Sequence, residues 1–489
     1  MTGTRVVAEP ADLDGDAIRA VAAGATPVLA PDLLDRVDSR RREMLAALEG
    51  AGPVYGVTTG MGAQGGVLLD EDARAEQSHR LLVGRAVGGA PWLSRSETRA
   101  VLGVRLRDFL TGDAGVSADL CRWLVTLLER DVLPAIPRDA TASAGEIVPL
   151  AHAFAHVAGA GQVLDASGTA VDAAPVVAPL EPPVLGAKEG VALLQGRPVA
   201  TALALLRVAE ARTLSRQWAV AVAAELDLVR AAPGPYLPEV ARGDDLLAGV
   251  LDRVRGRRDP RDLRETQVPV SFRVVGPVLA AVERAADGVE AAADRSLSAL
   301  TDSPAYLPGR GFASTPGFHA VDLALALDGL RTALVHAAQN GVARLHRLLD
   351  PRLTGLPAQL AASPGEAGMV VVHKQVAGEV AAVAGEKPAV LRVADTALGQ
   401  EDVQSSAPAA AEQVRRALNV ARRVLAAELL ALHQARLVGW AGRSLDLDAA
   451  GLPDTPADQP RGDQLAGLAA LLRAGWPDPS YPSAPVSEG

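Results

Sequence analysis

A tyrosine in a glycine-rich loop is the first residue of this sequence that could do chemistry. Tyr55 begins the run YGVTTGMG, in which three glycines give the backbone unusual freedom. A phenol on such a loop can close over a substrate and exchange a proton with it. No Gly-Lys-Ser/Thr follows, so the run is not a phosphate-binding P-loop. On its own, an ordinary surface loop explains it better.

A run of small residues leads into an apolar helical stretch. Ser143, Ala144 and Gly145 stand directly before EIVPLAHAFAHVAG, and exposed N–H groups at such a helix start suit an anion. His152 and His156 share one face at i, i+4. No glutamate lies between them and no third ligand is evident, so we expect core packing and no metal site.

Two further segments carry charges in suggestive places. Arg273 is the one charged residue of the strip QVPVSFR, so its guanidinium needs an anionic partner or an exit to solvent. Glu401 belongs to an acidic pair that follows a loop in GQEDVQS, which in isolation resembles a helix start.

Long helices must position these residues. No helix breaker interrupts residues 198–233, and comparable patterns cover 318–349 and 407–440. Helices of this length without heptad regularity predict the central bundle of a large all-α, oligomeric protein. A turn at Ser167-Gly168 between two short apolar runs predicts a small hairpin.

The composition of the chain excludes several classes of function. The chain has 489 residues with a net charge of −10, which lacks the basic footprint of a nucleic-acid-binding protein. Its single cysteine, Cys121, excludes an internal disulfide. The N-terminal sequence is not a signal peptide and no segment predicts a membrane span, so we expect a cytoplasmic protein. Residues 252–265, DRVRGRRDPRDLRE, are best explained as a solvated loop and less well as a docking patch for an acidic partner.

Taken together and in order, these segments resemble the aromatic amino acid lyase family, which contains the histidine, phenylalanine and tyrosine ammonia-lyases and related aminomutases. YGVTTGMG resembles the inner loop YGxxTGFG, and SAGEIVPLAH resembles the signature ASGDLxPLAH. KEGVALLQG, QVPVSFR, TDSP and GQEDVQS resemble KEGLALxNG, QDxYSxR, TDNP and QEDHVS. The similarity covers nearly the whole chain, which makes it specific although each motif is weak.

The resemblance implies a fold, an assembly and a prosthetic group. The fold would be all-α, with the long central helix bundle of the aspartase/fumarase/histidase superfamily and a smaller N-terminal region that carries loops and the hairpin. The assembly would be a homotetramer whose sites draw on several chains. Usual members carry a methylidene-imidazolone electrophile. It forms from Ala-Ser-Gly when the glycine nitrogen attacks the alanine carbonyl and the serine hydroxyl leaves as water.

This sequence departs from the family at that tripeptide. Anchored on Gly145 and on PLAH, the tripeptide is Ser143-Ala144-Gly145, and Ala144 has no hydroxyl to eliminate. We therefore expect no methylidene-imidazolone and no other cofactor. The remaining alternative is a one-residue shift, in which Ala142-Ser143-Ala144 would cyclise through the more hindered Ala144 nitrogen.

Other positions of the family pattern are also replaced. Val270 stands for a tyrosine, Gln195 for an asparagine and Gly317 for the asparagine of GNFHG. Val270 and Gly317 would make a pocket more apolar and roomier. Gly84-Arg85 aligns loosely with a Ser-His pair. The residues that match the family pattern, with the roles it implies, are Tyr55 as the loop base, Arg273 as the carboxylate-binding arginine, Glu401 as the acidic pocket residue, and Phe318 and His319 of the FH motif.

These residues predict an enzyme without the electrophile, in which Tyr55 and Glu401 move protons. Arg273, Gln195, Phe318, His319, Val270 and Arg85 would bind a small molecule with an anionic group. Isomerisation, elimination or cyclisation, set in natural-product biosynthesis, would suit these groups. Two alternatives stay open: an inactive partner subunit of an active lyase, and a true ammonia-lyase that uses the shifted tripeptide. By sequence, residues 1–197 form the N-terminal region, 198–450 the bundle, and 451–489 a C-terminal helix and proline-rich tail.

Overall fold

The computed structural model describes residues 4–139, 143–255, 263–264, 266–391, 394–442 and 444–477. Its architecture is all-α, as the sequence predicts. The helices are α1 (Gly15–Ala22), α2 (Pro31–Glu49), α3 (Glu71–Val83), α4 (Arg95–Leu110), α5 (Ala118–Glu129), α6 (Ile147–Phe154), α7 (Ala174–Val177), α8 (Glu189–Leu194), α9 (Pro198–Leu228), α10 (Asp245–Arg255), α11 (Val270–Arg273), α12 (Val275–Ser298), α13 (Val321–Leu348), α14 (Pro351–Thr354), α15 (Val370–Ala384), α16 (Ala407–Leu437) and α17 (Gly462–Arg473).

Within the described residues, short strands form three small sheets. The strands are β1 (Thr4–Val7), β2 (Thr26–Leu29), β3 (Leu133–Pro134), β4 (Gln162–Leu164), β5 (Ala170–Asp172), β6 (Ala305–Leu307) and β7 (Gly311–Ala313). β1 pairs with β2 in parallel, while β3-β4-β5 and β6-β7 are antiparallel. The β4–β5 hairpin turns at Ser167-Gly168, as predicted, with Gly168 at a φ of +83° that a side chain would strain.

Three long helices follow the three predicted stretches. α9 begins at Pro198, where the missing N–H of proline costs nothing because a first-turn N–H has no intrahelical partner. α9, α13 and α16 contain 31, 28 and 31 residues. The stretch Glu189–Leu228 is apolar and long enough to span a membrane, but 89% of its apolar window is buried, which is typical of a core helix.

The chain divides into two compact units. The first unit contains Met1–Arg207, Gly288–Asp328 and Pro388–Glu412, and the second contains Val208–Asp287, Gly329–Lys387 and Gln413–Gly489. Each unit therefore collects three separated stretches of sequence. The predicted division at residues 197 and 450 stays a prediction about consecutive segments. Of the arginine-rich stretch 252–265, residues 256–262 and 265 lie outside the described residues, as does the tail 478–489.

In the first unit, three helices pack on one another and frame the candidate site. α3, α6 and α8 are in mutual contact. α8 approaches α3 so closely that a Cβ on Gly190 would lie 2.5 Å from the Ser78 Cα, so only glycine fits there. This packing fixes α3, which begins where the loop of Tyr55 ends.

In the second unit, a buried cluster of charges joins three helices. The Arg344 guanidinium on α13 donates from Nε to Glu225 Oε2 on α9 at 2.8 Å, and from Nη2 to Glu428 Oε1 on α16 at 2.8 Å. Trp218 Nε1 donates to Glu428 Oε2 at 2.6 Å. Both carboxylates have no exposed side-chain surface, so one guanidinium serves two acids in the core.

Candidate active site

The loop of Tyr55 folds around the tyrosine ring. The Gly62 N–H donates to the Tyr55 hydroxyl oxygen at 2.7 Å. A Cβ on Gly65 would lie 2.8 Å from Tyr55 Cε2, so the ring packs against bare backbone. Because the phenol oxygen accepts this hydrogen bond, its own proton stays available for a partner outside the loop.

α3 holds this loop in place. Gln77 Nε2 donates to the carbonyls of Gly56 and Thr59, at 2.9 and 3.0 Å. The Val54 N–H donates to Thr58 Oγ1 at 2.8 Å. The loop is thus tied to a packed helix through Gln77 and braced within itself by Thr58, as a positioned acid or base requires.

The tripeptide Ser143-Ala144-Gly145 docks against Glu401. Ser143 Oγ donates to Glu401 Oε2 at 3.0 Å, and the Ala144 N–H donates to the same oxygen at 2.7 Å. The Ser405 N–H donates to the Ser143 carbonyl at 3.0 Å. Ser143 is only 7% exposed. Ala142, the first residue of the shifted tripeptide, lies outside the described residues.

A left-handed turn delivers Glu401 to this position. Ala397, Leu398 and Gly399 have φ values of +54°, +57° and +82°, and the two non-glycine residues cost about 1–2 kcal/mol each in that conformation. Thr396 and Glu401 close the turn with backbone hydrogen bonds of 3.0 and 3.2 Å. Leu398 is 94% exposed, so burial of its side chain does not offset the strain. A strained turn beside a site is typical of functional segments.

Arg85 follows the end of α3 and lies near both acid–base candidates. Partial burial lowers the pKa of the Arg85 guanidinium below its usual range, while Tyr55 and Glu401 oppose that shift through their charges. The Gly88 N–H donates to His152 Nε2 at 2.9 Å, which anchors the Arg85 segment to α6. Arg85, Tyr55 and Glu401 therefore form one electrostatic group in the first unit.

Phe318 lies against the tripeptide, and the structure places His319 and Gln195 by other contacts of the first unit. A Cβ built on Gly145 would lie 3.9 Å from Phe318 Cδ2. His319 Nε2 bonds the Gln404 carbonyl at 3.1 Å, and because a carbonyl only accepts, this nitrogen carries the proton. The half-buried Gln195 presents its carbonyl to Arg105, at the turn before α9.

Val270 and Arg273 belong to the second unit and are described there. They form the ends of α11, with Val270 58% exposed and Arg273 half-buried. Arg273 Nε donates to the Val268 carbonyl at 3.1 Å. Tyr236 and Asn340 bond the carbonyls of Phe272 and Ser271, so α11 is held at its backbone.

His152, on α6, and His156, just after its end, make hydrogen bonds with different partners. His152 accepts from the Gly88 N–H, whereas His156 lies in a short 3₁₀ turn and accepts from Trp123 Nε1 at 3.3 Å. Burial lowers the pKa of His156 to about 4, so it is neutral near pH 7. In the described part of the chain, no group of three or more His, Cys, Asp or Glu residues could hold a metal ion.

Comparison with known proteins identifies the family of this chain. The model of the aromatic amino acid lyase family matches residues 13–443. The chain is 31% identical to the histidine ammonia-lyase of Symbiobacterium thermophilum over 430 residues, which are 84% of each protein. The chain belongs to the aromatic amino acid lyase family. Its fold is also that of tyrosine aminomutase from Streptomyces globisporus, with a TM-score of 0.87, 25% identity and coverage of 94% and 95% of the two chains.

A second solved structure shows the same fold. Histidine ammonia-lyase from Trypanosoma cruzi superposes with a TM-score of 0.84 at 23% identity, over 96% of this chain and 94% of that one. The resemblance in the sequence motifs is therefore confirmed at the level of family and fold. The roles of individual residues remain predictions.

The tripeptide of this lyase-family chain does not fit the methylidene-imidazolone. The central residue, Ala144, has a methyl group where a hydroxyl would have to leave, and its N–H is bound to Glu401. The only hydroxyl of the tripeptide, on Ser143, is bound to the same carboxylate. We therefore derive no chemical step through that group.

One expectation about the pocket is wrong. From the sequence, glycine at position 317 in place of the family's asparagine predicts a larger pocket. A Cβ on Gly317 would instead lie 1.8 Å from the Leu300 carbonyl oxygen. The backbone of residues 300–301 fills the space, so glycine there reflects a close approach of two chain segments.

Sequence reasoning missed Glu146, which joins the tripeptide to α9. Its carboxylate accepts the N–H groups of Val199 and Ala200 at 2.7 and 2.8 Å, which caps a helix that otherwise has unpaired first-turn donors. Burial raises the pKa of Glu146 to about 7, although both N–H groups and Arg105 oppose the shift. The sequence signal that could have revealed this role is a single acidic residue directly before an apolar helical stretch.

We expect the stabilising effect of Glu146 to depend on pH. Because burial raises its pKa from 4.5 in the unfolded chain to about 7, protonation favours the folded state. This contribution is complete below about pH 4.5 and is lost as the pH rises through about 7. A Glu146→Gln variant stays neutral throughout. The unfolding free energy of the wild type minus that of the variant should therefore fall across this window in urea titrations, and a constant difference would contradict the assignment.

Proposed function

We propose that this chain is an ammonia-lyase-fold enzyme that works without the methylidene-imidazolone and moves a proton through Tyr55 on a small carboxylate-bearing substrate. The observation that carries the proposal is the grouping of Tyr55, Arg85 and Glu401 beside a tripeptide whose central residue is Ala144. An acid–base pair next to a cation supports proton abstraction beside a carbonyl, isomerisation, elimination or cyclisation.

Each residue has a proposed task. The Tyr55 oxygen, fixed by the Gly62 N–H, exchanges a proton with a substrate carbon or oxygen. Glu401 uses Oε2 to hold the tripeptide, which leaves Oε1 for the second proton transfer. Arg273 holds the substrate carboxylate by a charge-assisted pair. Phe318, His319, Gln195 and Arg85 of the first unit, and Val270 of the second, keep the substrate-binding roles that the family pattern implies.

The relatives support the part of this proposal that concerns a small substrate with a carboxylate, and not the proposed mechanism. Their names assign them to histidine and tyrosine, which are small amino acids with an anionic carboxylate. For this chain we propose a small anionic substrate, a cytoplasmic homotetramer with sites shared between chains, and a role in natural-product biosynthesis. We propose no nucleic-acid or membrane partner.

The intact mass of the purified protein tests the missing electrophile. Cyclisation and dehydration of a tripeptide remove two water molecules and create a near-ultraviolet chromophore. We expect the unmodified mass and no such absorption, because Ala144 has no leaving hydroxyl. A mass short by two water molecules would overturn the proposal and favour cyclisation of Ala142-Ser143-Ala144, with ammonia release from histidine, phenylalanine or tyrosine as the next assay.

The same preparation tests the partner-subunit alternative. If the protein is an inactive subunit, it should bind a lyase paralogue when the two are co-expressed. A homotetramer that excludes such a paralogue, together with an unmodified mass, is the result that our proposal predicts.

A further inference from the structure

A cleft of about 680 Å³ lies beside the Tyr55 loop, and every residue that lines it belongs to the first unit. Its volume falls in the range of small-molecule sites, roughly 300–1,000 Å³. Tyr55, Ser143 and Glu401 do not line this cleft, so the candidate active-site residues lie outside it. Six apolar side chains contribute to its walls: Leu45, Leu48, Val57, Leu68, Leu81 and Val191.

The end of α2 gives the cleft a negative pole. Glu49 is the last residue of α2 and lines the cleft. The carbonyl groups at a helix C-terminus carry partial negative charge, which normally favours a basic residue in the last turn. The last turn of α2 has no basic residue, and Glu49 forms no ion pair among the described residues. This end of the cleft therefore favours a cation.

An arginine on α3 gives the same cleft a positive pole. Arg74 lines the cleft, and its Nε donates to the Leu69 carbonyl at 2.9 Å, which anchors the guanidinium. Within the described part of the chain, Arg74 forms no ion pair with a carboxylate. Its Nη groups can therefore form a charge-assisted pair with an anion in the cleft.

We propose that this cleft binds an α-amino acid with an apolar side chain, as an effector of the Tyr55 loop. Arg74 receives the carboxylate, Glu49 and the end of α2 receive the ammonium, and the apolar walls receive the side chain. A simple carboxylate or a simple amine satisfies only one of the two poles, which is why a zwitterion fits best.

The cleft is coupled to the Tyr55 loop through shared residues. Gly56, Val57 and Thr58 of the loop line the cleft, as does Gln77, whose Nε2 donates to the Gly56 and Thr59 carbonyls. A ligand that packs against these residues stabilises the closed arrangement of the loop, because it binds that arrangement in preference to an opened one. Occupancy of the cleft therefore slows opening of the segment that carries Tyr55.

A matched set of three probes tests the two poles separately. L-Leucine has both charges, 4-methylpentanoate lacks the ammonium, and 3-methylbutylamine lacks the carboxylate. Isothermal titration calorimetry at pH 7 gives the three dissociation constants. We expect the wild type to bind L-leucine about 10-fold more tightly than either single-charge probe, as one charge-assisted hydrogen bond provides.

Variants assign each pole to its residue. Glu49→Gln should bind L-leucine as weakly as the wild type binds 4-methylpentanoate, and Arg74→Gln as weakly as the wild type binds 3-methylbutylamine. Glu76→Gln and Arg80→Gln are the matched controls, because these two residues form an exposed pair on α3 and do not line the cleft. Both controls should bind L-leucine like the wild type. All four substituted side chains are exposed, so each variant should fold.

Hydrogen exchange tests the effect on the loop. Saturating L-leucine should slow amide exchange in residues 51–62 of the wild type and leave it unchanged in Arg74→Gln. Binding without slower exchange would remove the effector role.

Other results would remove the site itself. Equal affinity for the three probes, or no binding of L-leucine, excludes a zwitterion site. Unchanged L-leucine affinity in Glu49→Gln and Arg74→Gln moves the binding to another part of the protein. Loss of proton transfer by Tyr55 would appear only in isotope-exchange or turnover measurements on substrates, so failure of the proposed function and failure of this inference are separate outcomes.

Discussion

Replacing Tyr55 with phenylalanine is expected to lower the rate of proton exchange by about 10²- to 10⁴-fold, the usual contribution of a positioned acid or base. The Tyr55 ring packs on Gly65, and phenylalanine preserves that packing. Only the oxygen that accepts the Gly62 N–H is lost. Substrate affinity should therefore change little. The measurement is deuterium incorporation beside the carbonyl of aryl acids in D₂O, followed by NMR.

Tyr306→Phe provides the matched control for this experiment. Tyr306 also belongs to the first unit, and its hydroxyl donates to Glu43 at 3.1 Å, a residue with no proposed part in the reaction. Exchange by this variant should equal that of the wild type. Equal rates in the Tyr55→Phe variant and the wild type would remove Tyr55 from the reaction.

Replacing Arg344 with methionine is expected to cost about 3–5 kcal/mol of unfolding free energy, because it leaves a buried carboxylate uncompensated. Burial raises the pKa of Glu428 to about 8; Arg344 and Trp218 oppose this shift and the neighbouring Glu225 adds to it. At neutral pH Glu428 therefore keeps its proton, which it shares with the neighbouring Glu225 in a hydrogen bond. Methionine fills much of the volume but supplies no charge. Urea titration measures the loss.

Two further variants separate charge compensation from packing. In Glu225→Gln the amide can accept from Arg344 and donate toward Glu428, which imitates the shared proton, so we expect a loss below about 1 kcal/mol. Arg352→Met removes an arginine whose side chain is 86% exposed and should change stability by less than about 1 kcal/mol. Equal losses in Arg344→Met and Glu225→Gln would contradict the shared-proton description.

The long helices and the hairpin could be predicted from the sequence alone. The stretch after Pro198 has no glycine or proline until Pro233, and the helix ends at Leu228, within a turn and a half of that breaker. Ser167-Gly168 predicted its turn because glycine alone adopts the required φ without strain. Local chemistry decides such features, so a single sequence carries them.

Contacts between segments that are far apart in the sequence could not be predicted from it. Nothing near Ser143 indicates that Glu401, more than 250 positions later, accepts its hydroxyl, and only the family pattern named both residues. The turn that delivers Glu401 places Ala397 and Leu398 in a conformation against their own preference, which surrounding structure must impose. The burial of Glu146 and of Arg85 likewise depends on how the helices pack.

The close approach at Gly317 bears on ancestry and on protein engineering. A serine at position 144 is one substitution away, but any residue larger than glycine at position 317 meets the Leu300 carbonyl at once. A single substitution at position 317 would therefore not pack, whatever residue an ancestor carried there. Libraries that aim to recover ammonia-lyase activity should therefore vary residues 300–301 together with 317, and randomising position 317 alone should yield only glycine among folded clones.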